Sequence, residues 1–271
     1  MKVAAVQMTS GPDVTVNLEQ ARGLLEEAAA QGAGLAVLPE NFAFMGLHDA
    51  DKRAVGESDG SGPIQDFLSS TALKLRVTIV AGTIPLRAGE DGRVAAASLV
   101  YGPDGKRVGR YDKIHLFDAD TPDGKSYRES ATMRPGEHAV VAGTPWGGLG
   151  LTICYDVRFA HLYRALANQD ARMIAVPAAF TVPTGQAHWE VMLRARAIET
   201  GAWVLAPAQG GLHEDGRTTY GHSMVIDPWG KVVAALDHDR PAVLTARLDL
   251  TRVDQARQAL PQLRHDREFT V

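Results

Sequence analysis

The chain has 271 residues, of which 22% are charged and 45% hydrophobic, as in an ordinary globular protein. Its 28 basic and 32 acidic side chains give a formal net charge of −4, without the basic excess of a protein that binds nucleic acid or a membrane surface. The single cysteine, Cys154, excludes an intrachain disulfide and a zinc site with several cysteines. No apolar run approaches the roughly 18 residues of a membrane span. We therefore expect a cytoplasmic protein with no nucleic-acid or membrane partner.

Short apolar runs alternate with amphipathic segments along the first half of the chain. A helix is predicted where apolar residues recur at helical spacing between Leu18 and Ala28, with Asn17 as its N-cap and Gly32 just past its end. Pro63 opens a second predicted helix. The apolar runs predict strands at 3–6, 35–38, 77–80 and 95–101. This alternation favours an α/β fold in which helices cover one face of each sheet.

The second half of the chain resembles the first. Residues 97–106 and 222–231 share a serine, a valine two positions later, and a Pro-x-Gly-Lys turn. Residues 35–40 likewise resemble residues 173–178. Fixed-register similarity of this kind predicts an internal duplication, and therefore one pseudo-symmetric domain over residues 1–248. Residues 249–271 are polar and predict a terminal helix followed by an arm that packs on a partner subunit or is disordered.

Three reactive side chains lie at or near the ends of apolar runs. Cys154 follows the apolar run 149–153, and a strand that entered a helix there would place the thiol at a helix N-terminus, which lowers a thiol pKa. Glu40 follows the run 35–39, and Lys113 lies among apolar and aromatic neighbours. Each has an ordinary alternative, respectively a structural cysteine, a solvated carboxylate and a lysine that extends to solvent. Together they supply the nucleophile, base and cation that acyl transfer requires.

The segments that carry these residues resemble a known family. Leu38-Pro39-Glu40, residues 111–116 and residues 153–159 are similar to the three signature segments of the nitrilase superfamily of carbon–nitrogen hydrolases, in the same order. The resemblance covers nearly the whole chain. It implies an α-β-β-α sandwich of two stacked sheets with helices on the outer faces, and subunits that associate as a homodimer or a larger homo-oligomer. It also implies that Glu40, Lys113 and Cys154 are catalytic, with Glu129 in support.

The residues around the cysteine indicate a branch of that superfamily. Tyr155-Asp156 follows Cys154 where nitrilases proper usually carry Trp-Glu, which resembles the amidases. Residues 187–199 and 220–230 are similar to those of deaminated glutathione amidases, and ω-amidases share much of the pattern. The resemblance implies cofactor-independent cleavage of a small terminal amide to a carboxylate and ammonia through a Cys154 thioester. The alternatives, in order, are ω-amidase action on α-ketoglutaramate, N-carbamoyl amine hydrolysis, and a non-catalytic binding protein of the same fold.

Further residues are expected to bind the substrate. The backbone N–H of Tyr155 is a candidate oxyanion donor, and Arg158 a candidate partner for a substrate carboxylate. Phe180 and His188 complete the expected binding residues. Arg194 and Arg196 are weaker candidates for carboxylate binding, because surface or ion-pair positions on an exposed helix face explain them better. Neither a metal nor a cofactor is expected.

One alternative for the base stays open. His188 or His222 could pair with Cys154 as a thiol–imidazole dyad, and sequence order does not decide between a histidine and Glu40. Glu40 as the base accounts for more of the candidate residues than a histidine does, because it also gives Lys113 a role.

Overall fold

The structure, a computed structural model, describes residues 1–121, 124–267 and 269–270. Helices α1 to α5 span Val14–Ala30, Pro63–Leu75, Ala160–Asn168, Val182–Thr200 and Thr251–Ala259. Strands β1 to β9 span Lys2–Gln7, Leu35–Val37, Thr78–Val80, Ile84–Arg87, Val94–Tyr101, Arg107–Asp112, Asp118–Asp120, Ser126–Arg128 and Val140–Thr144. Strands β10 to β17 span Gly147–Leu151, Ala171–Ala175, Trp203–Ala206, Gly210–Leu212, Thr218–Tyr220, Met224–Ile226, Val232–Ala235 and Ala242–Arg247. The predicted helices and strands of the first half are all present.

The strands form two large sheets and two short hairpins. The first sheet has the order β17-β1-β2-β3-β5-β4, with β6 also paired to β5, and its strands β1, β2 and β3 are parallel. The second sheet has the order β16-β15-β12-β11-β10-β9, and its strands β10, β11 and β12 are parallel. Strands β7 and β8 pair with each other, as do β13 and β14. Parallel strands joined by helices and antiparallel strands at the margins are thus common to both sheets.

The chain order shows the duplication that the sequence predicts. In the first half β1-α1-β2-α2-β3 leads to the antiparallel pair β5 and β6, and in the second half β10-α3-β11-α4-β12 leads to the antiparallel pair β15 and β16. The turn in the first pair contains Gly105 at φ 76°, and the turn in the second contains Gly230 at φ 81°. Both turns need a left-handed residue, which glycine adopts at little cost. The predicted duplication is confirmed.

The two faces of the first sheet pack into different cores. Val3, Leu35 and Val80 pack with the second sheet and with residues of α3 and α4. Their neighbours along the strands, such as Ala4 and Ile79, pack instead with α1 and α2. This division follows from the two-residue period of a strand, which directs successive side chains to opposite faces. The layers are therefore α-β-β-α, as predicted.

The prediction that Asn17 caps the first helix is wrong. Helix α1 begins four residues earlier than predicted, and Asp13 is its N-cap, with Oδ1 accepting hydrogen bonds from the backbone of Thr15 at 2.8 Å and of Val16 at 3.2 Å. Asn17 is buried inside the helix, where its amide bonds to the backbone of Gly11 and Ala43. Its amide serves a tertiary contact, which helical spacing does not reveal.

Helix α5 packs on the second half of its own chain. Arg257 donates hydrogen bonds to the carbonyls of Thr200 and Ala171, and Arg172 forms an ion pair of 2.7 Å with Asp254. Beyond this helix, the Phe269 side chain is 87% exposed. Within the described part of the chain, every helix is too short or too polar to cross a bilayer.

Candidate active site

Four of the predicted site residues line one narrow cleft. Glu40 follows β2, Lys113 follows β6 and Cys154 follows β10, so each comes from the end of a different strand. Glu129 joins them from the turn after β8. The cleft has room for water-sized molecules over about 50 Å³. A larger groove of about 900 Å³, between α5 and the ends of α3 and α4, contains none of the four, so we place the site at the cleft.

Lys113 connects the two carboxylates of the cleft. Its side chain is 1% exposed, and its Nζ lies 2.8 Å from Glu40 Oε1 and 3.0 and 2.9 Å from the two oxygens of Glu129. Burial acts to lower the pKa of Lys113, but the charges of Glu129 and Glu40 outweigh burial and raise that pKa well above its ordinary value. The ammonium is therefore a permanent cation in this site.

The chain around Glu40 is held from three sides. Asn41 donates its backbone N–H to Thr83 Oγ1 at 2.7 Å, and Gln209 donates its side-chain amide to the Glu40 carbonyl at 3.0 Å. The residue before Thr83 is Gly82, with φ 55°. A Cβ on Gly82 would overlap the Pro39 carbonyl, so this glycine permits the close approach that sets the position of Glu40.

Cys154 lies at a strained bend after β10. Its φ is 47°, a left-handed conformation that is costly for a residue with a side chain, and its N–H donates to the Pro177 carbonyl at 2.8 Å. Such strain is characteristic of functional sites. The Glu40 carboxylate, the Lys113 ammonium and the Ala179 N–H all lie close enough to the thiol to influence its pKa.

The prediction of a lowered thiol pKa is wrong. Burial, followed by the negative charge of Glu40, raises the pKa of Cys154 well above its ordinary value, and the Lys113 cation offsets only part of this effect. The expected helix is also absent at this point, because Cys154–Arg158 forms a short 3-10 turn and α3 begins at Ala160. Cys154 is therefore a thiol until a base removes its proton.

A buried carboxylate joins the cysteine segment to the lysine segment. Asp156 is fully buried, and its Oδ2 accepts hydrogen bonds from Tyr111 Oη at 2.7 Å and from the Ile153 N–H at 2.9 Å. Its Oδ1 accepts from the backbone N–H of His115 at 3.1 Å and lies 2.7 Å from His115 Nδ1. One side chain thus fixes the segments on either side of Lys113 against the residue before Cys154.

The expected substrate-binding side chains form a separate cluster. The Arg158 guanidinium lies over the rings of Tyr155 and Phe180, at 5.7 and 5.5 Å, and its Nη1 is 3.3 Å from His188 Nδ1. None of these four side chains lines the cleft. His222 also lies outside the cleft, with its Nδ1 at the Tyr220 carbonyl. Among the described residues, neither candidate histidine therefore shares the cleft with Cys154.

The two weaker arginine candidates, Arg194 and Arg196, also lie outside the cleft. Arg194 Nε donates to the Gly230 carbonyl at 2.8 Å. Arg196 is 6% exposed and donates to the Val157 carbonyl, so its predicted place on an exposed helix face is wrong. Its guanidinium also pairs with Glu199, and these contacts fix it inside the fold.

Sequence reasoning missed several residues of the cleft. Arg217, in the turn between β13 and β14, pairs with Asp49 at 3.6 Å and Asp215 at 3.3 Å, and its guanidinium lies 5.4 Å from the centre of the Tyr127 ring. Lys52 also lines the cleft. Further lining residues are Asn41, Phe117, Ala179 and Thr181. These positions lie mainly in polar turns, where no hydrophobic period or strand end marks them.

The donor sets in the described part of the chain do not suggest a metal site. No group of three histidine, cysteine, aspartate or glutamate side chains there is arranged to hold an ion.

Comparisons with known proteins agree on a family. The family described as carbon-nitrogen hydrolase matches residues 2–258. Deaminated glutathione amidase from Synechocystis sp. is 45% identical over 265 residues, which cover 97% of this chain and 96% of that protein.

Two solved structures resemble the fold. A member of branch 10 of the nitrilase superfamily from Saccharomyces cerevisiae superposes with a TM-score of 0.87 at 32% identity, over 96% of this chain and 94% of that one. A variant of the amidase from Nesterenkonia sp. AN1, with acrylamide added to its active-site cysteine, gives a TM-score of 0.80 at 26% identity, over 97% of this chain and 98% of that one.

Proposed function

The chain belongs to the carbon–nitrogen hydrolase family, and from that premise we propose that it hydrolyses the amide of deaminated glutathione through a thioester on Cys154. The observation that carries the proposal is the contact of one buried ammonium, Lys113, with both Glu40 and Glu129 in the cleft that contains the only cysteine. In the Nesterenkonia amidase, the active-site cysteine is the residue that acrylamide modifies.

The first step uses Glu40 as the base. The Cys154 thiol and the Glu40 carboxylate line the same cleft and interact electrostatically, so the carboxylate is placed to accept the thiol proton. As the proton moves to Glu40, the sulfur attacks the amide carbonyl carbon and the carbonyl π electrons move to oxygen. Because the pKa of the free thiol is raised, deprotonation must accompany attack.

The negative charge on the tetrahedral oxygen needs donors. Lys113 has three N–H protons; one is directed to Glu40, and one shared between the two oxygens of Glu129 leaves the third for the substrate oxygen. Glu129 also accepts the Phe117 N–H at 2.6 Å, which fixes the carboxylate that orients the ammonium. The N–H of Tyr155, which has no acceptor among the described residues, supplies a second donor.

The remaining steps return the enzyme to its starting state. Glu40 gives its proton to the amide nitrogen, the carbon–nitrogen bond breaks, and the amine leaves a thioester on Cys154. Glu40 then takes a proton from water, and the resulting hydroxide attacks the thioester carbonyl carbon. The carbon–sulfur bond breaks, and the Cys154 thiolate takes the proton back from Glu40. The products are an amine and a carboxylic acid, so the reaction balances without a redox partner or cofactor.

The acyl half and the amine half of the substrate are distinct. The relative from Synechocystis sp. is named for deaminated glutathione. Glutathione that has lost its amino group is an oxo-dicarboxylic acyl group joined by an amide to cysteinylglycine, so this amide is not the terminal, ammonia-releasing amide expected from the sequence. Hydrolysis of that bond releases the dipeptide as the amine, whereas a primary amide such as α-ketoglutaramate releases ammonia. The same thioester would form from both substrates, and the measured product distinguishes them.

The experiment compares substrates and variants. Wild type, Cys154→Ala and Glu40→Gln are incubated with deaminated glutathione, α-ketoglutaramate and an N-carbamoyl amine, and both ammonia and cysteinylglycine are measured. We expect cysteinylglycine release by wild type alone, with both variants folded by circular dichroism. Faster turnover of α-ketoglutaramate would move the assignment to ω-amidase. Undiminished turnover by folded Cys154→Ala would overturn the mechanism.

We further propose a cytoplasmic homodimer or larger homo-oligomer, with residues 1–248 as the hydrolase domain and the arm at the end of residues 249–271 in contact with a partner subunit. Ile198, Trp229 and Leu260 support this proposal, since these apolar side chains are 44%, 60% and 51% exposed around the groove beside α5. A lone, buried cysteine suits a reducing compartment. Light scattering should give a multiple of 29.0 kDa, and Trp229→Ser should lower it.

A further inference from the structure

Lys52 has a largely buried side chain, and its ammonium has no counter-ion among the described residues. It lies in the short 3-10 helix Asp49–Arg53, is 8% exposed, and lines the same cleft as Cys154. Among the described residues, no carboxylate lies within 4.0 Å of its ammonium and no side chain or carbonyl accepts a hydrogen bond from it. The ammonium itself is not among the fully buried side-chain atoms that lack a hydrogen-bond partner, so it keeps contact with solvent and is open to the cleft.

The other cations of the cleft are already paired. Lys113 is shared between Glu40 and Glu129, and Arg217 is paired with Asp49 and Asp215. The acidic residues that line the cleft are therefore engaged with these two cations. Lys52 is the cleft cation that remains available to an incoming anion.

We propose that Lys52 is the specificity-determining residue that binds the anionic end of the acyl group while Cys154 attacks its amide end. A substrate carboxylate in this position supplies the missing counter-ion through a charge-assisted hydrogen bond. The inference rests on the proposed function, because it places the anion on the acyl half that becomes the thioester. Lys52 would thereby make the enzyme prefer monoamides of dicarboxylic acids over neutral amides of the same length.

A pair of substrates isolates the charge. Glutaramate carries a carboxylate at the end opposite its amide, and glutaramide carries a neutral carboxamide of nearly the same size at that end. Ammonia release gives kcat and KM for both with wild type, Lys52→Met, which keeps most of the side-chain length, and Lys52→Arg, which keeps the charge. Lys74→Met is the matched control, since Lys74 is exposed on α2 and pairs with Glu26.

The expected result is a selective loss. Loss of one charge-assisted contact should lower kcat/KM of Lys52→Met for glutaramate roughly 10- to 100-fold, mainly through KM. Its kcat/KM for glutaramide should stay unchanged, Lys52→Arg should restore most of the glutaramate activity, and Lys74→Met should match wild type on both. An equal loss on both substrates, or no loss on either, would overturn the inference and leave Lys52 a purely structural or general electrostatic group.

A binding measurement separates this inference from the proposed function. If wild type hydrolyses neither compound, the proposed chemistry fails on these substrates, and protection of Cys154 against iodoacetamide then tests Lys52 directly. Glutarate should protect wild type and not Lys52→Met, while glutaramide should protect neither. Equal protection of both proteins by glutarate would contradict the role of Lys52 even though no turnover occurs.

Discussion

The close approach of Gly82 to the Glu40 segment can be tested by one methyl group. A Cβ at Gly82 would overlap the Pro39 carbonyl and lie 2.7 Å from the Leu38 carbonyl oxygen, so either backbone segment must move. Both obstacles are backbone atoms of the chain that leads into Glu40, and no side-chain rotation relieves them. We therefore expect Gly82→Ala to displace Glu40 from Lys113 and Cys154.

The cost has two parts. A left-handed φ of 55° costs alanine roughly 1–2 kcal/mol more than glycine. Forcing a methyl group into a packed site costs roughly 1–3 kcal/mol. Their sum of about 2–5 kcal/mol corresponds to a Tm lower by roughly 4–20 °C in a chain of this size. Calorimetry measures the Tm, and the amidase assay measures the displacement of Glu40 as a loss of kcat in protein that is still folded.

A second glycine isolates the clash. Gly32 has φ 85°, and a Cβ there meets nothing within 4 Å, so Gly32→Ala carries the backbone cost without the overlap. We expect Gly32→Ala to lower Tm by less and to keep wild-type kcat. If Gly82→Ala were as stable and as active as Gly32→Ala, the argument that Gly82 sets the position of Glu40 would be refuted.

Two further predictions concern the groups around the nucleophile. Asp156→Asn replaces an acceptor of the Tyr111 hydroxyl with a group that is in part a donor, so we expect a lower Tm and a lower kcat with KM little changed; unaltered kcat would contradict the positioning of Cys154 by Asp156. Iodoacetamide should alkylate Cys154 slowly at neutral pH and faster as pH rises above the roughly 8.5 of an ordinary thiol. Because the Glu40 charge raises this pKa, Glu40→Gln should shift the alkylation profile to lower pH while turnover is lost, and a shift to higher pH would contradict this reasoning.

Much of the fold follows from local patterns in the sequence. The apolar runs that predict strands correspond to β1, β2, β3 and β5, and Pro63 does begin α2. The matching turns at Gly105 and Gly230 belong to equivalent antiparallel pairs of the two halves. These features are predictable because strand burial, helix starts and turns depend on neighbouring residues.

The site was predictable only where it lies at the ends of these elements. Glu40 and Cys154 follow buried strands, which marks them in the sequence. Lys52 lies in a short polar 3-10 helix and Arg217 in a polar turn, and only the folded chain shows that the first lines the cleft and the second faces Asp49. The thiol pKa could not be read from the sequence, because it depends on burial and on a carboxylate distant in the chain.

Direct detection of the acyl group on Cys154 tests the central claim. Wild type is quenched in acid during turnover of deaminated glutathione, digested, and the peptides are analysed by mass spectrometry, with Cys154→Ala treated in parallel. We expect the peptide with Cys154 to gain the mass of the oxo-dicarboxylic acyl group in wild type alone, and this adduct to disappear when substrate is exhausted. An acyl group on another residue, or cysteinylglycine release by Cys154→Ala at the wild-type rate, would contradict this claim.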